Sequence, residues 1–471
     1  MVFTNIYSEK GGVNMANLVY INTHDTGRRI DPYGFNANTK TLMEFAKDAT
    51  LFTNAYSVAP TCSPSRSGLL TGTYPHQNGM LGLAQRGFGL NDTSKHLAAY
   101  LSQKGFRTAI SGIQHESGWY LDLDIEANKS LGYQEVLTSD SSVYPREELH
   151  LWDRKNAQNA ANWILDRNSD EPFMLSYGLH STHRPYPITV NDSVNPNYVV
   201  PQYPIPNNKS NRIDEAQYIT SAMYADESIK IVLDALKDKG VYDNTIILFT
   251  TDHGVPLPFN KCSLNDNGIG VSFILRNPFV NVQGQVFDQL ISHIDVFPTL
   301  CEMLGIESPE YLEGKSFTPI FDNHDFKVRD HVFAEINFHA SYEPSRCVRT
   351  ERYKYIRHFD EEWLKVNLAN IDESQPKDFL IDHGLRDITK PVEGLYDLYF
   401  DPNEASNLVD DHKYAEILDG LRATLKEYML STNDPLLQGH IQILPQYKVN
   451  SRQSLEASSK NPDDYDSLGV K

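Results

Sequence analysis

Short apolar runs that end abruptly in polar residues constrain the fold of this chain more than any other feature. Residues 17–22, 173–178 and 245–250 read as buried strands, because apolar side chains follow one another there without alternation. Helical patterns separate these runs along the chain, which is typical of a parallel sheet with crossover helices. The carboxyl ends of parallel strands meet at one edge of a sheet, so the residues after these runs are candidates for a functional site.

Ionisable side chains follow each of these runs and also a fourth predicted strand, residues 106–111. Such side chains are brought together when their strands lie side by side in a parallel sheet. We therefore expect one polar cluster rather than several separate sites. The candidates are His24, Asp25, His115, His183, Asp252 and His253.

Residues 61–72 predict a reactive group at the start of a helix. Pro64 suits the first helical turn, and Gly72 can end the helix. Cys62 then lies at the positive end of the helix dipole, where anions bind and a thiol loses its proton readily. Arg66 lies one turn further on and offers a fixed cation with forked donors.

Length and charge restrict the class of protein. The 471 residues suffice for one large α/β domain and a smaller one. A net charge of −20 argues against nucleic acid as a partner, and an anionic substrate would need locally focused positive charge. The four cysteines show no paired spacing, which suits a reducing compartment.

The first residues bear on where the protein acts. Residues 1–14 are polar and lack the apolar core of a signal peptide, and Met15 is a possible true start. No apolar run is long enough to cross a membrane, so a membrane is not an expected partner. The simplest predicted location is the cytoplasm.

Residues 61–72 resemble the signature of the type I sulfatases, C-x-P-x-R followed by a small residue and L-x-T-G. Residues 74–80 resemble a more specific stretch of the heparan N-sulfatases (sulfamidases). Residues 349–356 and 395–408 resemble the hairpin and the closing motif of the family. The similarity is to the alkaline-phosphatase-like superfamily, and it is nearest to sulfamidase-like bacterial sulfatases.

The resemblance implies an α/β fold, in which a large, mostly parallel sheet is sandwiched by helices and followed by a smaller C-terminal α+β subdomain. We predict a catalytic domain over residues 15–327. Residues 328–471 are then the C-terminal subdomain, with an antiparallel sheet and a polar tail.

The resemblance also implies a sulfuric ester hydrolase that acts on sulfate esters or N-sulfates of sugars, such as glycosaminoglycan fragments. A maturation enzyme would convert Cys62 to formylglycine, whose hydrate attacks sulfur. Arg66 would hold the hydrate and His115 would act as the base. His183 and Lys261 would stabilise the charge that develops on the sulfate.

Three further residues are predicted to bind the substrate. Arg184 matches an arginine that sulfamidases carry after the sulfate-binding histidine. A sulfated uronate sugar carries a carboxylate as well, so its pocket needs cations beyond those on the reacting group. We expect Arg346, with His339 nearby in sequence, to supply that charge from the C-terminal subdomain.

One divalent metal ion is implied, with ligands at His24, Asp25, Cys62 (as formylglycine), Asp252 and His253. The usual ligand set of the family is all oxygen, which suits calcium. Here two histidines occupy ligand positions, and imidazole favours manganese, iron or zinc. Phosphonate monoester hydrolases of the same superfamily also use an Asp-His pair.

Ile113 stands where the sulfamidase pattern has a sulfate-binding lysine, so another cation must supply that charge or the leaving group differs. A second interpretation is therefore a phosphonate monoester or phosphodiester hydrolase on the same scaffold. A third is a non-catalytic protein that binds sulfated glycans, with Cys62 never converted. The sequence leaves open O- versus N-sulfate, the sugar, and whether the protein is a homo-oligomer.

Overall fold

The computed structural model describes residues 15–280 and 282–457, and the predictions about residues 1–14 lie outside that range. The strands are β1 (Asn17–Thr23), β2 (Thr50–Phe52), β3 (Ala55–Tyr56), β4 (Arg107–Gly112), β5 (Glu135–Val136), β6 (Phe173–Gly178), β7 (Thr245–Thr251), β8 (Phe273–Arg276), β9 (Val286–Phe287), β10 (Ile291–Ser292), β11 (His331–Phe338), β12 (Tyr342–Thr350), β13 (Tyr353–His358) and β14 (Glu393–Asp397). The helices are α1 (Lys40–Lys47), α2 (Cys62–Thr71), α3 (Pro75–Asn78), α4 (Leu97–Gln103), α5 (Ile125–Ser130), α6 (Leu149–Asp166), α7 (Lys209–Asp238), α8 (Asp266–Ile269), α9 (Val296–Met303), α10 (Gln375–Asp382) and α11 (Ala415–Ser431).

The largest sheet in the described part of the chain has the strand order β5-β4-β6-β1-β7-β8-β2-β9. Strand β1 lies at its centre and pairs in parallel with β6 and β7. Strand β8 alone runs against its neighbours β7 and β2. The predicted mostly parallel sheet is therefore confirmed.

Both faces of this sheet are covered, which explains why its strands read as continuous apolar runs. Leu18 and Tyr20 of β1 pack on one face with side chains from α2, α4 and α9. Val19 and Ile21 pack on the other face with side chains from α6 and α7. Buried apolar residues on both sides make the sheet a rigid platform for the loops at its carboxyl edge.

Glycines allow two of these loops to leave the sheet side by side. Gly112 and Gly178 end the paired strands β4 and β6. A Cβ at Gly112 would lie 2.0 Å from the carbonyl oxygen of Gly178, and a Cβ at Gly178 would lie 2.1 Å from that of Ile113. No larger residue fits without moving backbone, so the loops that carry His115 and His183 start at fixed points.

The C-terminal part contains an antiparallel sheet in the order β11-β12-β13-β14. Leu418, Leu421 and Leu425 of α11 pack against this sheet, in a cluster that includes Val348 and Leu395. The predicted smaller α+β unit is therefore confirmed as a fold, while its boundary at residue 327/328 stays a prediction.

Some predicted elements differ from those observed. The sequence pattern of residues 51–56 predicts a single strand, but the structure divides it between β2 and β3, which belong to different sheets. The amphipathic pattern of residues 158–167 predicts a helix, but that helix, α6, begins nine residues earlier, at Leu149. Among the described residues, no helix combines the length and apolar character that crossing a bilayer requires.

Candidate active site

Helix α2 positions Cys62 as its first residue, as the sequence predicts. Gly72 ends the helix with φ 66°, and its amide donates to the Gly68 carbonyl at 2.9 Å. A Cβ at Gly68 would lie 2.2 Å from Val58 Cγ2, so the helix packs tightly against the preceding segment. Cys62 is 2% exposed. Its side chain is therefore held in place rather than free in a cleft.

The Cys62 sulfur faces two predicted metal ligands. Its Sγ lies 3.3 Å from His253 Nε2 and 3.8 Å from Asp25 Oδ1. Burial raises the pKa of the Cys62 thiol well above its usual value, although Lys261 and Arg66 act in the opposite direction. The expectation that this thiol loses its proton readily is wrong, because desolvation outweighs the helix dipole and the nearby cations.

Strands β1 and β7 bring the four other predicted ligands together. The amide of Asp25 donates to Asp252 Oδ1 at 2.8 Å, so the two strand ends are joined directly. His253 Nε2 lies 3.2 Å from Asp25 Oδ1. His24 Nε2 lies 3.6 Å from Asp25 Oδ1 and 3.5 Å from Asp252 Oδ2. The predicted convergence at the sheet edge is therefore observed for His24, Asp25, Asp252 and His253.

The two histidines turn ring nitrogens towards this cluster. His253 Nδ1 donates to the Gly254 carbonyl at 2.9 Å, and its Nε2 faces the Cys62 sulfur. Neither ring nitrogen of His24 has a hydrogen-bond partner, although the residue is fully buried. Burial lowers the pKa of His24 well below its usual value, so the ring is neutral.

A divalent metal ion fits this donor set. Ligand atoms of His24, Asp25, Cys62 and Asp252 all lie within 4.8 Å of one another. Buried polar atoms without partners are costly, and a cation at this point would satisfy the ring of His24. Burial raises the pKa of Asp25 to about 6, although the charge of Lys261 beside it acts in the opposite direction. A carboxylate charge in this pocket is therefore unfavourable unless a further cation balances it.

Arg66 orients one of these carboxylates. Its Nε and Nη2 donate to Asp252 Oδ2 at 3.2 and 3.1 Å. Burial alone would raise the pKa of Asp252, but His253 and Arg66 outweigh it and lower that pKa. Asp252 is therefore ionised and held rigidly, as a metal ligand must be.

Lys261 and His183 lie on the outer side of the cluster. Lys261 Nζ donates to Asp25 Oδ2 at 2.8 Å and lies 3.0 Å from Asp372 Oδ2. His183 Nδ1 donates to the Arg184 carbonyl at 2.5 Å, so its Nε2 is free to accept from Lys261 Nζ at 3.4 Å. Both predicted sulfate-stabilising residues are thus at the cluster.

His115 also reaches the centre. One of its ring nitrogens lies within 4.8 Å of the Cys62 sulfur and of a His24 nitrogen. Its Nε2 bonds Gln85 Oε1 at 2.8 Å, while its Nδ1 is buried without a partner. Burial lowers the pKa of His115 well below its usual value, so the ring is neutral and able to accept a proton.

Ile113, which the resemblance places at the position of the family lysine, is buried among apolar side chains. It is 2% exposed and packs with Tyr120 and Trp152. Arg146 is an exposed cation whose field adds to burial in lowering the pKa of both His180 and His183.

The substrate-binding prediction for Arg184 needs correction. Its Nη1 and Nη2 each donate to an oxygen of Asp214 at 2.7 Å, and its Nε donates to the Pro256 carbonyl at 3.0 Å. The guanidinium also stacks over Tyr186. Because Asp214 neutralises it and every nitrogen is engaged, Arg184 stabilises the loop after β6 and is not available to an anionic group.

The prediction for Arg346 is corrected for the same reason. Arg346 is 0% exposed. Its Nε and Nη2 donate to the two oxygens of Asp434 at 2.6 and 3.0 Å, and its Nη1 donates to the carbonyls of Ile336 and Ser345. It therefore joins β12 to the segment after α11, with no surface for a substrate.

Replacing Arg346 by alanine should lower the free energy of unfolding by about 3–5 kcal/mol, because Asp434 would remain buried without its partner. Urea unfolding monitored by circular dichroism measures this. A double variant, Arg346→Met with Asp434→Leu, should recover most of the loss. If Arg346→Ala had an unchanged free energy of unfolding but a raised KM for a carboxylate-bearing sugar sulfate, Arg346 would be assigned to substrate binding again.

His339 lies beside the site, as predicted, but acts through the helix start. Its Nδ1 bonds Thr61 Oγ1 at 2.7 Å, one residue before Cys62. The fields of Lys261 and Asp372 both act on the pKa of His339, which burial lowers well below its usual value. A neutral His339 thus links the C-terminal unit to the segment that carries Cys62.

His76, in the stretch 74–80 that resembles the sulfamidases, has a structural role. Its amide donates to Glu335 Oε1 at 2.9 Å, and its Nδ1 contacts Glu335 Oε2. This pair ties α3 to β11. Sequence reasoning missed Gln85, Arg146 and Asp372, because each is recognised only by the residue it faces, far away in the chain.

Two family models and several known proteins are similar to this chain. The Sulfatase family model matches residues 16–306, and a model of the N-sulphoglucosamine sulphohydrolase C-terminal region matches residues 252–380. An ulvan-active sulfatase of Formosa agariphila is 29% identical over 433 residues, which cover 86% of this chain and 78% of that protein. Human N-sulphoglucosamine sulphohydrolase is 28% identical over 459 residues, which cover 84% of this chain and 86% of that protein.

The fold is also shared with solved structures. The structure of a 2-O GAG sulfatase superposes with a TM-score of 0.69 at 21% identity, covering 96% of this chain and 99% of that one. Because the first family model spans more than half of the sequence, the chain belongs to the sulfatase family of the alkaline-phosphatase-like superfamily. Membership of this family confirms the prediction that the protein is a sulfuric ester hydrolase.

Proposed function

We propose that this protein is a formylglycine-dependent sulfatase that removes sulfate from saccharides with the help of one divalent metal ion. The observation that carries the proposal is the position of Cys62. It is the first residue of α2, and its sulfur lies 3.3 Å from His253 Nε2 and 3.8 Å from Asp25 Oδ1. A formylglycine hydroxyl at this position would be placed among the predicted metal ligands.

Metal binding is assigned to His24, Asp25, Asp252 and His253, together with the formylglycine at position 62. A bound divalent ion would act as a Lewis acid and lower the pKa of a hydroxyl that it contacts. Arg66 keeps Asp252 in its ligating orientation through two hydrogen bonds. Two neutral imidazoles in the set favour manganese or zinc over the calcium that the family resemblance implies.

Charge stabilisation and proton transfer are assigned to residues outside the ligand set. Lys261 and His183 lie where the sulfate oxygens would be held, with Lys261 3.4 Å from His183 Nε2. His115 offers a buried, unpartnered Nδ1 as the proton acceptor. Gln85 fixes the ring of His115 by bonding its other nitrogen.

A sulfated saccharide is the proposed substrate class. Two relatives support it by what they act on, since one is an ulvan-active sulfatase and another an N-sulphoglucosamine sulphohydrolase. Both cover most of this chain at below 30% identity, so the sugar and the choice between O- and N-sulfate are not transferred. A maturation enzyme is the partner that the proposal requires.

The proposal is tested by the mass of the peptide that contains Cys62 and by turnover. Protein produced together with a formylglycine-generating enzyme should show conversion of Cys62 to the aldehyde and release sulfate from 4-nitrophenyl sulfate. Protein produced without that enzyme should keep the thiol and show little turnover. Equal activity of the two preparations would contradict the formylglycine mechanism.

Replacing Lys261 by methionine should lower kcat/KM for sulfate esters by about 100–1000-fold, because a buried cation at the reacting group would be lost. Steady-state kinetics of the matured enzyme measure this, and metal content shows that the ligand set is intact. Lys155→Met, on the exposed side of α6, is the matched control and should be unaffected. A loss of metal equal to the loss of rate would instead assign Lys261 to the metal site.

A phosphonate monoester or phosphodiester hydrolase remains a second candidate, on the observation that His253 occupies a ligand position with its Nε2 facing Cys62. The same nucleophile and metal could serve both reactions. Turnover of 4-nitrophenyl sulfate and of bis(4-nitrophenyl) phosphate by one preparation separates them, and a higher kcat/KM for the phosphodiester would favour the second candidate.

A further inference from the structure

Asp372 is an acidic side chain at the site that the sulfatase chemistry does not use. It lies between a short 3-10 helix (Leu368–Asn370) and α10, in the C-terminal part of the chain. Its side chain is 19% exposed, whereas that of Asp25 is 0% exposed. Asp372 is thus more exposed than Asp25, the other carboxylate beside Lys261.

Asp372 faces the residues assigned to sulfate. Its Oδ2 lies 3.0 Å from Lys261 Nζ. Burial would raise the pKa of Asp372, but the charge of Lys261 outweighs it and lowers that pKa. The carboxylate is therefore ionised and surrounded by the groups that would hold the substrate.

A carboxylate beside a site that binds an anion would repel the substrate, so the presence of Asp372 requires a physical explanation. Lys261 already has a carboxylate partner in Asp25 at 2.8 Å, so it does not require Asp372 for neutralisation. When a sulfate group binds Lys261, it competes with Asp372 for the same ammonium group. The Asp372 carboxylate must then accept hydrogen bonds from something else, because an unpaired charge at this depth is costly.

We infer that Asp372 selects substrates whose sugar presents hydroxyl or ammonium donors next to the reacting sulfate, and that it disfavours a carboxylate there. The inference rests on the proposed function. It also replaces the expectation of a uronate pocket built on Arg184 and Arg346, because both guanidinium groups are committed to internal carboxylates.

The test uses Asp372→Asn in manganese-loaded protein whose Cys62 is left unconverted, so that sugar sulfates bind without turnover. Asparagine keeps the shape of the side chain and removes its charge. Dissociation constants are measured by calorimetry for glucosamine 6-sulfate and for a 2-O-sulfated uronate. The variant should bind the glucosamine sulfate about tenfold more weakly, because a hydrogen bond to a charged acceptor is lost. It should bind the uronate sulfate at least as well as the unchanged protein does.

Two controls separate specificity from structure. Asp378→Asn, an exposed carboxylate on α10, should leave both dissociation constants unchanged. In matured protein, turnover of 4-nitrophenyl sulfate, which carries neither donor nor carboxylate, measures the part of the effect of Asp372→Asn that is transmitted through Lys261. Because binding and turnover are measured separately, absent turnover in every preparation would count against the proposed function and not against this inference.

The inference is overturned if Asp372→Asn leaves the ratio of the two dissociation constants unchanged. It is also overturned if the variant weakens both sugars and the aryl sulfate equally, because Asp372 would then only position Lys261. A loss of affinity for the glucosamine sulfate that exceeds any change with the aryl sulfate supports it.

Discussion

Replacing Cys62 by alanine should lower kcat for sulfate esters by at least about 10⁴-fold, which is the scale for removal of a covalent nucleophile. The physical reason is the enclosure of the site. Cys62 is 2% exposed at the start of α2, and its sulfur is the group on that helix that faces His253 Nε2 and Asp25 Oδ1. Alanine cannot be converted to an aldehyde, so neither nucleophile nor metal contact would remain at position 62.

Discontinuous release of sulfate and a fold check by circular dichroism measure this effect. Cys301→Ala is the matched control, because Cys301 is equally buried but lies on α9, away from the cluster. It should keep kcat within about twofold, at some cost in stability. If Cys62→Ala, correctly folded and metal-loaded, hydrolysed sulfate esters at the normal rate, position 62 would not carry the nucleophile.

The framework of the site could be predicted from the sequence because it depends on local patterns. The run of residues 173–178 coincides with β6, since a strand buried on both faces must be apolar throughout. The polar residues after each run then converge through the geometry of a parallel sheet, which requires no knowledge of contacts. The start of α2 at Cys62 and its end at Gly72 follow from equally local signals.

Other features could not be predicted because they depend on distant partners. The sequence predicts that Arg346 is a cation that binds the substrate. In the structure its guanidinium instead pairs with Asp434, which is 88 positions away in the chain. Arg184 has its partner Asp214 on α7. Burial of Cys62 likewise reversed the expected shift of its thiol pKa, since desolvation is a property of the whole fold.

The sequence pattern also fails to predict where α6 begins. The first two turns of this helix carry His150, Asp153 and Lys155, and these polar residues interrupt the apolar periodicity that would indicate a helix. The structure buries Asp153, whose two oxygens accept from the amides of His180 and Ser181. A carboxylate that serves a neighbouring loop is indistinguishable in sequence from one that faces solvent.

Replacing Asp252 by asparagine should raise the dissociation constant of the divalent metal by about 100-fold or more, because both charge and ligand strength are lost. Asparagine preserves the shape of the side chain, so the hydrogen bonds that Asp25 and His253 amides donate to Oδ1 can persist. The fold should therefore survive better than in Asp252→Ala, which would leave Arg66 buried without its partner.

Titration of manganese and zinc, with elemental analysis after dialysis, measures this effect independently of catalysis. Asp295→Asn is the matched control, because Asp295 is also a fully buried carboxylate but pairs with Arg329. That variant should lose stability and keep its metal. Undiminished metal in Asp252→Asn would exclude Asp252 as a ligand. A strict requirement for calcium in the unchanged protein would count against direct ligation by His24 and His253, since two imidazoles suit borderline metals better than calcium.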